Sequence, residues 1–329
     1  MKTHTLGASG IEASVVAFGA WAIGGWKWGG TDATAAVEAL HAALDAGVTL
    51  IDTAPVYGFG LSEELVGEAL KSRRREDVVI ATKCGLVWGV EDGPALTLHG
   101  SASPDKPIFR TNARASIRAE VDASLARLGT DYIDLYFTHW QDPQVSGAEV
   151  METFEELKRE GKIRAAGACN ASLADLASYA SVAPLDADQE KYSALDRAQE
   201  ATNLPYAAES GMAYLAYSPM AQGLLTGKIT PERVFPDGDI RHDNPRYSLA
   251  NRRAVAGFLD GIAGIAADHK ARVEHVMLAW TLARPGMTHV LVGARNADQA
   301  RSNAMAGRLE LSGAEIADID AALADLHLG

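Results

Sequence analysis

Short β-rich runs and longer amphipathic, alanine-rich stretches alternate along almost the whole chain. The β-rich runs are SVVAFGAW (14–21), VTLID (48–52), DVVIATK (77–83), DYIDLYFTH (131–139), IRAAGACN (163–170), LDADQEKYS (185–193), MAYLAYSP (212–219) and THVLVGAR (288–295). Between them, apolar residues recur at helical spacing. The stretch 33–47 ends on Gly47, a helix terminator, and 62–75 opens on the cap-type Ser62 and closes in arginines that suit a helix carboxyl end. Stretches 112–129, 146–161 and 296–307 follow the same plan.

Eight strands alternating with eight helical segments predict parallel β/α architecture. An eight-stranded (β/α)8 TIM barrel and a doubly wound open sheet compete. The barrel is preferred, because no strand leads into a G-x-G-x-x-G turn and GGWKWGG at 24–30 has the wrong spacing and bulky tryptophans. That glycine-rich piece is read as a β/α loop. Residues 3–14 read as a small N-terminal β-hairpin closing the barrel's other end. Segments 84–110, after the third strand, and 223–250, after the seventh, break the rhythm. Both fall on the carboxyl face of a barrel, where long loops shape active sites. With no linker-like shift in composition, residues 1–329 read as one domain.

Polar residues sit where apolar strands end. The second, third and fourth strands finish on Asp52, Lys83 and His139; the fifth carries Cys169 and Asn170, the sixth Gln189, the seventh Tyr217 and Ser218, and the eighth runs into Arg295. Packing alone does not call for ionisable strand ends, and three in succession converge on one patch. Asp52 and Lys83, on adjacent strands, are expected to pair, each offsetting the other's desolvation. A charged Lys83 beside Tyr57 is expected to lower the phenol's pKa from its ordinary value near ~10 and tune it as a general acid/base. His139 would hold the substrate oxygen or relay the proton. The set suits proton delivery to an oxygen gaining negative charge. It offers no Ser or Cys nucleophile paired with a base and no metal-binding motif. A proton donor reduces nothing alone, so a hydride-carrying cofactor is implied.

Composition narrows the partners. A net charge of -13 disfavours nucleic acid and anionic membranes, and no apolar run or signal-like amino terminus points to a membrane or to export. Cys84 and Cys169, distant in sequence, fit reduced thiols in a cytoplasmic protein better than a lone disulfide.

From VVAFGAWAIGG to GARNADQARSNA the chain resembles the aldo-keto reductases. IDTAPVYGFGLSEELVGEAL, IATKCG, DYIDLYFTHW, GACN and YSPMAQGLLTGK carry the resemblance. It implies a barrel that binds a nicotinamide cofactor without a dinucleotide-binding sheet, and a catalytic set of Asp52, Tyr57, Lys83 and His139. It further implies that Asn170 and Gln189 hold the nicotinamide carboxamide and that Tyr217 stacks on the ring. Ser218, Pro219, Met220, Gln222, Gly223 and Leu225 would wrap the pyrophosphate. Gly293, Ala294 and Arg295, with Gln299 and Asn303, would hold the adenosine end. Gly19, Ala20, Trp21, Asp52 and Cys169 complete the cofactor's expected surroundings. Trp21, Trp26, Trp88 and Trp140, with Tyr57 and His139, are expected to wall the substrate.

Two departures from the family pattern bear on the cofactor. Cys169 replaces a usual serine, weakening one carboxamide contact. Gly293 and Gln299 stand where the best-known members carry a lysine and an arginine on the 2′-phosphate, leaving Arg295. GAWAIGG, KCGLVW and GARN resemble the bacterial sugar and polyol oxidoreductases, which implies preference for NADP(H), with NAD(H) as the alternative. The expected activity is hydride transfer to the carbonyl of a small aldehyde, ketone or sugar, or the reverse oxidation. A nicotinamide-binding sensor subunit and a Schiff-base isomerase using Lys83 remain alternatives at this level.

Overall fold

The computed structural model describes residues 1–89 and 106–329. Its strands are β1 (Thr3–Thr5), β2 (Glu12–Ser14), β3 (Val16–Gly19), β4 (Leu50–Asp52), β5 (Val79–Cys84), β6 (Leu86–Trp88), β7 (Ile108–Arg110), β8 (Ile133–Thr138), β9 (Ile163–Cys169), β10 (Ala187–Lys191), β11 (Ala213–Tyr217) and β12 (His289–Gly293). The helices are α1 (Ala33–Asp45), α2 (Leu61–Leu70), α3 (Arg114–Leu128), α4 (Gly147–Arg159), α5 (Leu173–Ala180), α6 (Asn203–Glu209), α7 (Leu249–Gly261), α8 (Ala263–Asp268), α9 (Val273–Leu282), α10 (Ala297–Met305) and α11 (Gly313–Ala324).

Eight parallel strands close a barrel in the order β3-β4-β5-β8-β9-β10-β11-β12. Each expected strand is present, trimmed at its ends. The antiparallel β1–β2 pair forms the expected hairpin, and its Ala13, with the flanking Leu6 and Ile11, packs into the same lumen cluster as Leu50, Val79 and Leu135.

The period of two along each strand sorts the side chains. Leu50 and Val79, Ala81 and Leu135, Phe137 and Ala165 belong to the lumen cluster, whereas Ile51, Ile80, Tyr136 and Ala166 belong to the larger core shared with the helices. Phe137 pairs in register with Gly167 of β9, and a Cβ added to Gly167 would lie 2.3 Å from the Phe137 ring. The glycine makes room for the aromatic that fills the barrel. Burying such a ring contributes roughly 1.5–3 kcal/mol.

Helix ends depart from expectation. Ser62 is not the cap of α2. Gly60 holds that position with φ +105°, while the Ser62 hydroxyl is buried, donating to the Ala20 carbonyl at 2.9 Å and bonding Thr53 Oγ1 at 2.8 Å. The helix stops at Leu70, before the arginines at 73–75 that the pattern assigned to it. By contrast, Ser146 forms the reciprocal capping box of α4 with Glu149. Within the first expected long loop, β6 and β7 make an antiparallel hairpin, and residues 90–105 of that loop lie outside the described residues. A short 3-10 turn at Ala221–Thr226 leads into the second, which holds another at Pro245–Tyr247.

Candidate active site

Alternation along the barrel strands carries polar side chains to one end of the lumen. On β4 the inward series runs Leu50 then Asp52, and on β5 it runs Val79, Ala81, Lys83. Strands β4 and β5 are neighbours, so the acid and the amine meet. Lys83 is completely buried and donates to both Asp52 oxygens at 2.9 Å, to the Thr53 carbonyl at 2.8 Å and to Tyr57 Oη at 3.4 Å. Gln189 Nε2, from the inward series of β10, donates to Asp52 Oδ1 at 2.9 Å. A buried ion pair with every remaining polar atom satisfied is the arrangement in which its desolvation is best offset.

Tyr57 sits on the turn between β4 and α2. Its backbone is fixed from both sides, by its own N–H on the Ala54 carbonyl and by Ser62 N–H on its carbonyl. The turn also lies backbone to backbone on the glycine-rich loop after β3. A Cβ at Gly24 would come within 2.6 Å of the Tyr57 carbonyl oxygen, and one at Gly58, where φ is +71°, within 2.2 Å of the Gly24 oxygen. The Tyr57 ring stacks on Trp21 at 6.0 Å and meets the edge of His139 at 5.6 Å.

The electrostatics correct one expectation. Lys83 does not pull the Tyr57 phenol down. Burial, then the charge of Asp52, pushes it well above its ordinary value. Lys83 is held closely by Asp52 and only loosely by the phenol, so desolvation wins. His139 moves the opposite way: burial, then the Lys83 charge, holds it well below the usual histidine range. At neutral pH the site therefore presents a protonated phenol beside a neutral imidazole.

Cys169, Asn170 and Gln189 form a linked set. Cys169 Sγ donates to Gln189 Oε1 at 3.6 Å, and Asn170 Nδ2 lies 3.2 Å from Cys169 Sγ and donates to the His139 carbonyl at 2.9 Å. The Tyr217 hydroxyl donates to Asn170 Oδ1 at 2.7 Å. Asn170 itself adopts φ +55°, a left-handed conformation asparagine tolerates.

A cavity of about 390 Å³ runs from Asp52 and Tyr57 past Tyr217 to Gln299 and Asn303. Of the expected cofactor residues, Gly19, Trp21, Asp52, Tyr217, Ser218, Pro219, Met220, Gln222, Gly223, Gly293, Arg295, Gln299 and Asn303 line it. Ala20, Cys169, Asn170, Gln189, Leu225 and Ala294 do not. Ala20, Leu225 and Ala294 are buried core residues, whereas Asn170 and Gln189 stand behind its inner end through their bonds to Tyr217 and Asp52, and Cys169 stands there through its bonds to Asn170 and Gln189. Arg295 lines the cavity, but its guanidinium donates to the carbonyls of Trp28 at 3.1 Å and Gly30 at 3.0 Å.

Sequence reasoning missed Trp28, Lys228, Arg233 and Arg241 on the cavity wall. Arg241 lies 5.0 Å over the Trp28 ring and pairs with Asp239 at 2.7 Å. The expected substrate aromatics divide. Trp21 lines the cavity, while Trp26, Trp88 and Trp140 pack with Tyr57 against Val56, Leu86 and Ile108. Phe59, also missed, joins that cluster, 5.4 Å from Trp26 and 5.5 Å from Trp88. Both cysteines are free and buried. Among the described residues no cluster of three His, Cys, Asp or Glu is arranged to hold a metal ion, and no helix is long and apolar enough to cross a membrane.

With this geometry in hand, likeness to known proteins is specific. The profile of the aldo/keto reductase family matches residues 15–324. Over 301 residues the chain is 40% identical to aldo-keto reductase YhdN of Bacillus subtilis, covering 91% of this chain and 86% of that protein. Over 320 residues it is 40% identical to the NADH-specific methylglyoxal reductase of Escherichia coli, covering 96% of each. Among solved structures, a glycerol dehydrogenase of Gluconobacter oxydans superposes with a TM-score of 0.87 at 36% identity, covering 98% of this chain and 95% of that one. The chain belongs to the aldo/keto reductase family. It is an oxidoreductase enzyme of a family that uses nicotinamide cofactors.

Proposed function

We propose that the protein transfers hydride between NADP(H) and the carbonyl carbon of a small aldehyde, ketone or sugar, and runs the reverse oxidation on alcohols or polyols. Tyr57 is its general acid/base. The observation that carries the reading is the buried Asp52–Lys83 pair directly beneath Tyr57 at the inner end of the cavity.

The residues present suit a nicotinamide dinucleotide. Ser218, Ala221, Gln222 and Gly223 all have positive φ, so the backbone after β11 forms a tight cradle along the cavity wall. Tyr217 offers a ring at the inner end, with Asn170 and Gln189 behind it for the carboxamide. A bound nicotinamide supplies the hydride. Tyr57, protonated at neutral pH, gives its proton to the substrate oxygen as negative charge develops there, contributing typically ~10²–10⁴-fold. Lys83 then stabilises the phenolate left behind, and neutral His139 orients the same oxygen by hydrogen bonding. The aromatic cluster around Phe59 excludes water from that end.

The preference for NADP(H) rests on charge. Lys228, Arg233, Arg241 and Arg295 line the cavity. Lys228 is paired with Glu274 at 3.1 Å and Arg241 with Asp239 at 2.7 Å, so Arg233 and Arg295 are the cations that support a 2′-phosphate beyond the pyrophosphate both cofactors share. The Escherichia coli relative named as NADH-specific is the counter-example to meet.

The test is a panel of methylglyoxal, other aldehydes, ketones and sugars, with glycerol and polyols in the reverse direction, run separately with NADPH and NADH. Turnover with NADPH ahead of NADH supports the reading. Turnover with NADH alone overturns the cofactor preference, and binding without turnover across the panel overturns the catalytic role.

A further inference from the structure

Behind β10, on the face away from the lumen, lies a polar group that the proposed chemistry does not use. Asp188 and Glu190 point outward on either side of Gln189 and are 0% and 4% exposed. Buried carboxylates without a cation are costly, so their hydrogen bonds are informative. Glu190 Oε1 accepts the backbone N–H of Ala171 at 2.7 Å. Asn203 Nδ2, from α6, donates to the Ala171 carbonyl at 2.9 Å and to Asp188 Oδ2 at 3.0 Å. Gln199 Nε2 approaches Glu190 Oε2 at 3.4 Å. Both backbone groups of Ala171 are therefore captured from behind the sheet, and Ala171 directly follows Asn170.

Asn170 needs holding. Its φ of +55° is unusual for a residue with a side chain, and its amide spans two elements, bonding the His139 carbonyl after β8 and the Tyr217 hydroxyl on β11. A peptide on its carboxyl side that is free to turn would let that amide swing.

We infer that Glu190, supported by Asp188 and Asn203, is a positioning residue that clamps the Ala171 backbone and so fixes the Asn170 amide where it meets nicotinamide and the His139 backbone. The inference rests on the reading of Asn170 as a nicotinamide contact. Burial raises both carboxyl groups, and the Asp188 charge raises Glu190 further, so the pair retains a proton near neutrality. A glutamine at 190 reproduces that protonated form, with its amide oxygen still able to accept from Ala171.

The test compares binding of NADPH and NADH with binding of their fragments lacking nicotinamide, 2′-phospho-ADP-ribose and ADP-ribose, by titration calorimetry. Glu190→Ala is expected to weaken the intact cofactor roughly tenfold while leaving the fragment within about twofold. Asn170→Ala is expected to show the same split, and Glu190→Gln to rescue most of the lost affinity. Should Glu190→Ala fail to fold, Asn203→Ala, which frees the Ala171 carbonyl, is read in the same way. Cofactor and fragment weakened alike by the clamp variants would mark Glu190 as merely structural and overturn the inference. So would intact cofactor affinity in Glu190→Ala alongside its loss in Asn170→Ala. Unchanged affinity in Asn170→Ala would instead remove the reading of Asn170 itself.

Discussion

Lys83 Nζ lies 2.9 Å from each oxygen of Asp52 and 3.4 Å from the hydroxyl of Tyr57. The lysine is thus bound first to the acid and only second to the phenol. In the proposed mechanism its role toward Tyr57 is to stabilise the phenolate once the proton has left. This pairing predicts strong coupling in stability. Asp52→Asn and Lys83→Met should each destabilise by about 3–5 kcal/mol, because each leaves one buried charge unmatched. The double variant should be less destabilised than the sum of the two. Chemical denaturation of the four proteins measures the coupling, and strict additivity would show that the pair does not act as a unit.

The raised phenol and depressed imidazole set the pH profile. Tyr57 stays protonated through and beyond its ordinary titration range, and His139 stays neutral above the usual histidine value. The rate of carbonyl reduction should therefore be flat from about pH 7 to about pH 9, while alcohol oxidation, which needs the deprotonated phenol, should climb with pH across the same range. A break in reduction near pH ~6.5 would mean that His139 titrates in the working range.

Backbone contact between two loops predicts a catalytic defect from a residue that touches no substrate. Gly24→Ala would drive a methyl group to 2.6 Å from the Tyr57 carbonyl. Displacing the phenol by a fraction of an ångström should lower kcat by roughly 10²-fold with the fold retained. Gly257→Ala, where an added Cβ meets nothing within 4 Å, is the control and should match the parent. Equal kcat in Gly24→Ala would show that the loop contact does not position Tyr57.

His289, at the amino end of β12, is fully buried with its Nδ1 on Thr288 Oγ1 at 2.8 Å, and burial, then the charge of His4, brings its pKa down to about 3. The unfolded chain protonates this histidine from about pH 6.5 downward while the folded protein refuses. Its contribution to stability is present above that pH and is lost as pH falls toward about 3. The slope is up to roughly 1.4 kcal/mol per pH unit. His289→Asn should flatten the acid-side fall in stability by that amount. An unchanged slope in denaturation curves between about pH 6 and about pH 4 would contradict the buried neutral state.

What was legible in the sequence was whatever the strand period dictates. Asp52, Lys83, Gln189 and Tyr217 end inward-facing series, so the alternation of β4, β5, β10 and β11 alone brings them together. Residues on irregular backbone were not legible. Trp28, Phe59 and Arg241 reach the site through turns with no period, and Ser62 looked like a cap because its partners, Ala20 and Thr53, are neighbours only in space. The direction of the Tyr57 shift also escaped, since it depends on how completely burial outweighs one nearby lysine. Asp188 and Glu190 were visible as charges flanking Gln189, but their capture of Ala171 depends on the packing of α6 behind the sheet.

In the proposed mechanism everything turns on Tyr57 carrying the proton. The most direct measurement is the Tyr57→Phe variant, with kcat for carbonyl reduction and cofactor affinity determined on the same preparation. A loss of kcat of ~10²–10⁴-fold is expected, with cofactor affinity within about twofold of the parent. Turnover undiminished in Tyr57→Phe would contradict it.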